Sequence, residues 1–416
     1  MAFIKVKQRS IRVLTALIII ILCSCVTILL MVLAFVVVIL GALYWSVQLL
    51  FTLSMITKVR SIAALPDKEL SAWPRISVIM PARNEADTLE AALRKRCESE
   101  YPDLELIVVN DRSTDKTGEI AERIAATDPR VHVVHIESLP EGWIGKIYAM
   151  HVGAQHARGE WLLFSDADVY VKPGTLKRVI AVCEEKRIDH MAVMPDLCPT
   201  RFLVDVTLSV FMRQICALGR PWKAEDPKSN DAVGAGAFNL VRRTAYDAIQ
   251  GFESLRLTVA DDVALGRVLK QSGARASALN GRGHVSVYFY RTIQELAKGS
   301  ERALFTMFGN FSAFKLIFTA ILMLILELAP FIALFFIGLP LLQSAGIVLV
   351  GFVLTTSLAA NFYLGRPWWT ALFVPIAIVI MFVCMVRAAV LGKKRGGIIW
   401  RGTFYPTEQL RTFRQS

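Results

Sequence analysis

The sequence predicts an α/β domain with a mostly parallel sheet, flanked by transmembrane helices. Three observations indicate this arrangement. Long apolar runs lie at both ends of the 416-residue chain, and 54% of the residues are hydrophobic, more than a soluble domain of this size needs. Between these runs, short apolar segments alternate with segments of helical periodicity. Such alternation is typical of parallel strands joined by helices that cover the sheet.

The N-terminal apolar run extends from Val13 to Thr57 and contains no charged side chain. A helix of about 20 apolar residues crosses a bilayer, so this run is long enough for one long anchor or for two spans. Lys and Arg residues flank it on both sides, and a hairpin would place both flanks in the cytoplasm, where positive charge is preferred. We therefore expect residues 1–60 to form an anchor in the cell inner membrane, with a cytoplasmic domain behind it.

The C-terminal third contains three more apolar runs, Leu316–Leu342, Ile347–Tyr363 and Trp368–Leu391. We predict transmembrane helices over residues 303–391 and a basic tail over residues 392–416. Three spans after a hairpin would place the basic residues 393–395 outside, against the charge preference. The alternatives are that one C-terminal run is re-entrant or that the N-terminal run is a single span.

Charge and cysteine content exclude several classes of function. The net charge of +12 is concentrated beside the apolar runs, which indicates membrane topology, and no motif predicts a nucleic-acid partner. The seven cysteines include no C-x-x-C pair, so neither a zinc site nor a disulfide framework is expected. Reduced thiols agree with a cytoplasmic domain.

The middle of the chain, residues 74–302, predicts alternating strands and helices. Four apolar segments predict buried strands: Ile76–Met80, Leu104–Val109, Val131–Ile136 and Trp161–Phe164. Helical segments follow the first three strands. Asp87 is the expected N-terminal cap of the first helix, and Thr114 or Asp115 is the expected start of the second. The third helix is expected to cover about Lys146–Ala157.

Polar side chains follow three of these strands at the point where each strand ends. They are Arg83, Asn84 and Glu85 after the first strand, Asp111 after the second, and Asp166 and Asp168 after the fourth. Ligands of such sheets bind at the carboxyl ends of the strands, so these side chains are expected to converge. Two carboxylates one residue apart can hold a hard cation together with its bound diphosphate.

Four motifs in this order resemble family 2 glycosyltransferases of the GT-A fold. They are the P-x-x-N-E loop Pro81–Glu85, the nucleotide segment Asn110–Thr117, the D-x-D pair Asp166 and Asp168, and the acidic pair Asp261 and Asp262. The resemblance covers about residues 74–302. Gly142–Lys146 and Gly396–Gly402 are similar to the membrane subset of this family, which includes hopanoid-associated, carotenoid-associated and ceramide-type enzymes.

The resemblance implies a nucleotide-sugar donor and residues that bind it. The base and ribose would be held by Pro81, Arg83, Asn84, Glu85 and Asp111, with Asp111 accepting from uracil in the expected UDP-sugar. Lys146 would lie near the base or the diphosphate.

The resemblance also implies a metal and a base. Asp166 would contact the ribose or the metal, and Asp168 would bind Mn²⁺ or Mg²⁺, which would offset charge on the leaving diphosphate. Asp262 would be the general base for the acceptor hydroxyl, with Asp261 as the alternative. One displacement then inverts the anomeric carbon.

Polymerising members of the family carry a Q-x-x-R-W motif near the membrane. Here Gln294–Ala303 offers Arg302 as a partial replacement for the arginine, but no tryptophan follows it. We therefore expect transfer of one sugar to a membrane lipid or isoprenoid acceptor. The alternatives are a processive polysaccharide synthase of the same fold and a catalytically inactive membrane scaffold that binds nucleotide. The intact Asp166, Asp168 and Asp262 argue against the scaffold.

Overall fold

The computed structural model describes the backbone of residues 2–415 and the side chains of residues 19 and 21–413. Thirteen helices occur in this part of the chain: α1 (Ala2–Lys58), α2 (Leu89–Cys97), α3 (Thr117–Ala125), α4 (Gly145–His156), α5 (Thr175–Lys186), α6 (Phe202–Gly219), α7 (Arg243–Ala248), α8 (Asp261–Gln271), α9 (Ile293–Ala303), α10 (Ala313–Ala333), α11 (Pro340–Tyr363), α12 (Val374–Arg395) and α13 (Thr407–Gln415). Shorter turns of 3₁₀ or π type cover Ile62–Ala64, Pro221–Lys223, Gly251–Leu255, Leu304–Phe308 and Trp368–Phe373.

The strands of the described chain form three sheets. They are β1 (Arg60–Ser61), β2 (Ile76–Ala82), β3 (Leu104–Asp111), β4 (Val131–Ile136), β5 (Trp161–Phe164), β6 (Tyr170–Val171), β7 (His190–Met194), β8 (Asp196–Leu197), β9 (Asn239–Arg242), β10 (Ala276–Asn280), β11 (Val285–Val287), β12 (Gly397–Trp400) and β13 (Thr403–Pro406).

The central sheet has eight strands in the order β1-β10-β7-β9-β5-β2-β3-β4, and β9 alone runs antiparallel to its neighbours. The predicted mostly parallel sheet is therefore confirmed. The four predicted strands are β2 to β5, and the sheet begins earlier than expected because Arg60–Ser61 pairs with β10. In the register of β2 and β3, Ala82 lies opposite Asn110, so the polar segments after both strands lie side by side.

The sheet is buried on both faces because its strands are nearly continuous apolar runs. Each fully buried Ile or Leu contributes roughly 1.5–3 kcal/mol to folding. Helix α4 packs closely on this sheet at Gly153, where a Cβ atom would lie 2.4 Å from Ile79 Cγ2. The helix thereby brings its first turn, residues 145–148, to the carboxyl edge of β2 and β3.

The helix starts differ from those predicted. Asp87 does not cap α2, which begins after Thr88; the Thr88 hydroxyl instead donates to the Glu85 carboxylate at 3.1 Å. The Asp115 carboxylate does fix the start of α3, because it accepts from the backbone N–H of Thr117 at 3.0 Å. It also accepts from the backbone N–H of Ala86 at 3.1 Å, so it joins the loop after β2 to the loop after β3.

The N-terminal apolar run forms one continuous helix in the described backbone, so the hairpin alternative is wrong. Gly41, where a turn could have formed, instead lets α10 approach closely: a Cβ there would lie 2.7 Å from Ala329 Cβ. The basic residues 5–12 lie outside the described side chains. Five described segments are long and apolar enough to cross a membrane: Ile21–Lys58, Phe202–Lys223, Ala313–Ala333, Pro340–Tyr363 and Trp368–Arg395.

A buried polar cluster joins three helices of this bundle. The Glu327 carboxylate of α10 accepts hydrogen bonds from the Tyr44 hydroxyl of α1 at 2.6 Å, and from Arg213 and Gln214 of α6 at 2.8 and 2.7 Å. Removing one partner of such a buried pair is costly, because the other charge is left without compensation. The cluster therefore holds α6 against α1 and α10.

The C-terminal tail returns to the α/β domain. Helix α11 ends there, since the Tyr363 hydroxyl donates to the Val59 carbonyl at 2.7 Å and its carbonyl accepts from Asn280 at 2.8 Å. Helix α12 also ends there, because Arg395 donates to Glu301 of α9 at 2.6 Å. The basic residues 393–395, at the end of the segment Trp368–Arg395, therefore lie on the side of the domain.

This topology predicts a labelling pattern for single cysteines. In membrane vesicles, Glu119→Cys in the α/β domain and Phe404→Cys in the tail should react with an impermeant maleimide from the same side. Gly338→Cys, in the loop between α10 and α11, should react from the opposite side; a Cβ there meets no atom within 4 Å. Wild-type protein gives the background of native cysteines. Labelling of Phe404→Cys from the side of Gly338→Cys would contradict the placement of the tail beside the α/β domain.

Candidate active site

A cleft of about 750 Å³ opens at the carboxyl edge of the central sheet, beside the first turn of α4. Seven residues predicted from the sequence line it: Pro81, Arg83, Glu85, Asp111, Lys146, Asp166 and Asp168. They come from the ends of β2, β3 and β5 and from α4. The segments after three separate strands therefore converge, as the sheet topology requires.

The acidic pair at the start of α8 lies beside the D-x-D pair, although it does not line the cleft. The Lys146 ammonium lies 2.7 Å from Asp166 Oδ1 and 3.4 Å from Asp261 Oδ2. Gly236 provides a second bridge, because its carbonyl accepts from the Asp166 N–H at 3.0 Å and its N–H donates to Asp262 Oδ2 at 3.0 Å. Burial alone would lower the pKa of Lys146, but Asp166 and Asp261 outweigh it and raise that pKa above its ordinary value.

The two carboxylates of the acidic pair have different environments. Asp261 is buried, and burial raises its pKa although Lys146 opposes the shift. Asp262 is half-buried at the N-terminus of α8, where the helix dipole stabilises a carboxylate, and its Oδ1 accepts from the Val263 N–H at 2.8 Å. Asp262 is more accessible than the buried Asp261, which favours it as the group that receives a proton from an acceptor.

Asp168 is partly buried beside two other carboxylates, those of Asp166 and Glu85. It forms no ion pair within the described residues, and burial together with Asp166 and Glu85 raises its pKa to about 6. Arg96 is buried nearby and donates to the Ser165 hydroxyl at 2.5 Å; burial lowers its pKa to about 10 despite the attraction of Asp168 and Asp166.

This carboxylate pair fits a divalent cation that a ligand helps to bind. The described residues contain no group of three or more His, Cys, Asp or Glu side chains that would form a complete metal site. Magnesium-type ions, however, are usually held by one or two carboxylates together with substrate phosphates. Asp166 and Asp168 supply such a pair at the wall of the cleft.

Asn84 is the one predicted binding residue after β2 that does not line the cleft. Its φ angle is +54°, its side-chain oxygen accepts from the Thr114 N–H at 2.8 Å, and its own N–H donates to the Ser113 hydroxyl at 3.0 Å. Asparagine tolerates this left-handed conformation better than most residues. In the structure, therefore, Asn84 holds the loops after β2 and β3 together.

Asp111 lies at the base of the cleft with both carboxylate oxygens occupied. Arg112 donates to Oδ1 at 2.7 Å and to Oδ2 at 3.0 Å, and Arg83 Nη1 lies 4.0 Å from Oδ2. A ligand that hydrogen-bonds to Asp111 must therefore displace or share the Arg112 guanidinium.

The family of the domain follows from comparison with known proteins. Residues 77–249 match the model described as glycosyl transferase family 2. The chain carries a family 2 glycosyltransferase domain.

Curated relatives support this family assignment at low identity. A 4,4'-diaponeurosporenoate glycosyltransferase of Staphylococcus haemolyticus is 26% identical over 52% of this chain and 56% of its own length. The protein of the same name in Staphylococcus aureus (strain USA300) is 25% identical over 56% of this chain and 62% of its own. The uncharacterized glycosyltransferase EpsJ of Bacillus subtilis is 32% identical over 28% of this chain and 32% of its own length. The chain thus spans about a third to just under two thirds of these relatives.

A solved structure shows the same fold. The mannosyltransferase PcManGT from Pyrobaculum calidifontis, in complex with GDP-Man and Mn²⁺, superposes with a TM-score of 0.51 at 20% sequence identity. The match covers 86% of this chain and 98% of that one. The predicted GT-A fold is therefore confirmed.

Four charged or aromatic residues outside the predicted set also line the cleft of this glycosyltransferase domain: Arg302, Trp400, Arg401 and Tyr405. The last three belong to the tail, which the sequence suggested only as a basic segment with a family-like Gly396–Gly402 motif. The Arg302 guanidinium lies 3.6 Å from the centre of the Trp400 ring. The tail therefore places a tryptophan beside Arg302, although none follows Arg302 in sequence.

Gly236 is a further site residue outside the predicted set. A Cβ atom at this position would lie 3.0 Å from Asp166 Oδ2 and 3.4 Å from Lys146 Nζ. We predict that Gly236→Ala displaces Asp166 and lowers the rate of donor consumption by roughly tenfold to a hundredfold, since small misplacements at a reacting centre have effects of this size. The midpoint of thermal unfolding should hardly change.

The matched control is Gly219→Ala, because a Cβ there meets no atom within 4 Å. Both variants are compared with wild type by donor consumption and by thermal unfolding in the same detergent. Wild-type turnover by Gly236→Ala would show that the close contact with Asp166 is unimportant.

Proposed function

We propose that this protein transfers one sugar from a nucleotide-sugar donor to a membrane lipid or isoprenoid acceptor, with inversion at the anomeric carbon and with a bound Mn²⁺ or Mg²⁺. The observation that carries the proposal is that Asp166 and Asp168 line one cleft and that Gly236 bridges Asp166 to Asp262, beside an apolar helix bundle. The curated relatives are named as glycosyltransferases of a carotenoid acid, 4,4'-diaponeurosporenoate, which supports an apolar acceptor.

The donor would bind with its diphosphate toward Asp168 and its base toward Asp111. A divalent cation held by Asp166 and Asp168 would offset the negative charge on the leaving diphosphate. PcManGT was solved with GDP-Man and Mn²⁺, which supports this arrangement in the fold. We propose a UDP-sugar, whose uracil N–H would replace Arg112 as a donor to one oxygen of Asp111.

The acceptor hydroxyl would lie next to Asp262. Its oxygen forms the new bond to C1 of the sugar while the bond from C1 to the diphosphate oxygen breaks, and its proton passes to the Asp262 carboxylate. The Gly236 N–H and the start of α8 orient that carboxylate. Lys146 keeps the neighbouring Asp261 and Asp166 paired, which limits repulsion between the acidic groups.

Apolar surface near the D-x-D pair offers a route for a lipid acceptor. The Tyr288 ring packs edge-on against Tyr170, two residues after Asp168, with ring centres 6.4 Å apart. Tyr288 and the adjacent Phe289 are both exposed, and they lie just before α9. Exposed aromatic residues of this kind suit a membrane interface. We propose that the bundle lies in the cell inner membrane and that the domain faces the cytoplasm.

The first test concerns the metal. Asp168→Ala should abolish metal-dependent donor hydrolysis and sugar transfer, because the cation loses a carboxylate ligand and the diphosphate charge is no longer offset. Activity should fall at least a hundredfold, as on removal of other charge-stabilising groups. Purified protein in lipid nanodiscs is assayed with UDP-sugars and Mn²⁺ or Mg²⁺, and lipid products are detected by mass spectrometry.

Asp103→Ala is the control, because this exposed aspartate lies at the opposite edge of the sheet, just before β3. It should behave like wild type. Transfer by Asp168→Ala at the wild-type rate would refute the metal-binding role of this residue.

The second test separates the general base from donor binding. Asp262→Asn keeps the shape and can accept from one of the two backbone N–H groups, of Gly236 or Val263, but it cannot take a proton at neutral pH. It should bind the donor with wild-type affinity while turnover falls by roughly 10²–10⁴-fold, the usual contribution of a general base. Binding is measured by calorimetry and turnover by product formation. Loss of donor binding would instead assign Asp262 to the donor site.

A further inference from the structure

The hairpin formed by β12 and β13, residues 397–406 and called the tail hairpin below, points its turn at the donor-binding loop. Arg401 and Gly402 form a two-residue turn, with φ angles of +48° and +81°, between the paired residues Trp400 and Thr403. Asparagine and glycine usually occupy the first position of such a turn. Retaining an arginine in this unfavourable conformation indicates a function for its side chain.

The Arg401 side chain contacts the loop Pro81–Glu85. Its Nη2 lies 2.5 Å from Glu85 Oε1, and its Nη1 donates to the Arg83 carbonyl at 3.2 Å. Beside it, the Tyr405 hydroxyl accepts from the backbone N–H of Gly145 at the start of α4, at 3.2 Å. The tail hairpin is thus joined to both walls of the cleft by contacts between residues that are 260 to 318 positions apart in the sequence.

Arg302 lies in the cleft with hydrogen-bonding capacity that the described residues do not use. Its Nη1 is buried and has no hydrogen-bond partner within the described part of the chain. Asp261, Asp262 and Asp166 attract it electrostatically, but none of them lies within ion-pair distance. Guanidinium groups form strong paired hydrogen bonds with phosphate oxygens. The free N–H group is therefore suited to an anionic ligand in the cleft.

The tail holds this guanidinium in place. Trp400 packs its ring on the guanidinium at 3.6 Å, a contact that favours the charged group electrostatically and restricts its rotation. The preceding residue, Glu301, accepts from Arg387 at 2.9 Å and from Arg395 at 2.6 Å, so the end of α9 is also fixed by the helix that leads into the tail.

We propose that the tail hairpin is part of the donor site, and that Trp400 positions Arg302 to bind the diphosphate of the donor. This inference rests on the proposed function and adds two residues to it. Arg302 contacts the diphosphate directly and stabilises the charge that develops as the sugar leaves. Trp400 is a positioning residue, because it acts through Arg302.

The test compares nucleoside diphosphates with the monophosphates that lack the second phosphate. Binding of UDP, GDP, UMP and GMP to full-length protein in nanodiscs is measured by calorimetry with Mn²⁺ present. Wild type should bind one diphosphate better than its monophosphate. Trp400→Ala should weaken diphosphate binding by about tenfold, as expected for loss of a desolvated cation–π contact, and change monophosphate binding by less than about twofold.

Three further variants make the result specific. Trp400→Phe keeps an aromatic face and should restore most of the diphosphate affinity. Arg302→Lys keeps the charge but not the planar guanidinium, so it should lose diphosphate affinity as Trp400→Ala does. Agreement between these two variants would show that the loss does not come from misfolding of one of them. Trp368→Ala, at an exposed tryptophan outside the cleft, is the matched control and should behave like wild type.

The outcomes separate the two levels of the proposal. One outcome is that wild type binds a diphosphate better than its monophosphate while Trp400→Ala and Arg302→Lys keep the same preference. In that case the tail hairpin does not contribute to diphosphate binding, and this inference is wrong. Equal loss of diphosphate and monophosphate binding also overturns it, because Trp400 then shapes the nucleoside pocket. If wild type itself shows no preference for a diphosphate, the proposed function fails.

Discussion

The ion pairs of Lys146 allow acidic side chains from distant parts of the chain to lie at one edge of the sheet. Its ammonium lies between Asp166, which follows β5, and Asp261, which begins α8. Without a cation between them, these carboxylates and the neighbouring Asp168 and Asp262 would repel one another in a partly buried site. Lys146 can reach them because α4 packs on the sheet at Gly153. The packing of one helix therefore sets the charge balance of the whole cleft.

The site also depends on the helix bundle, which does more than anchor the domain. Helix α12 returns the chain to the α/β domain, and only then can Trp400 and Arg401 reach the cleft. The polar contacts of Glu327 with α1 and α6 fix the helices on which this return depends. Under the proposed function, donor binding would therefore depend on the helix bundle through the tail.

Much of this arrangement could be predicted from the sequence, because it depends on local patterns. Apolar runs located β2 to β5, and the rule that ligands bind at strand ends brought Asp111 to the same edge as Asp168. Other features depend on contacts that no local pattern encodes. The sequence does not show that Asn84 turns toward Thr114, or that Trp400 packs on a residue of α9. The choice between one span and two was left open for α1, since charge preference favoured a hairpin whereas packing of Gly41 on α10 favours one helix.

The central claim is that carboxylates from separate segments bind a metal and a sugar-nucleotide diphosphate together. Anomalous diffraction from crystals of the protein grown with Mn²⁺ and UDP tests it most directly. We predict a manganese peak within coordinating distance of Asp168 and of the diphosphate, with the uracil toward Asp111. A peak elsewhere, or a nucleotide bound away from the carboxyl edge of β2, β3 and β5, would contradict the account.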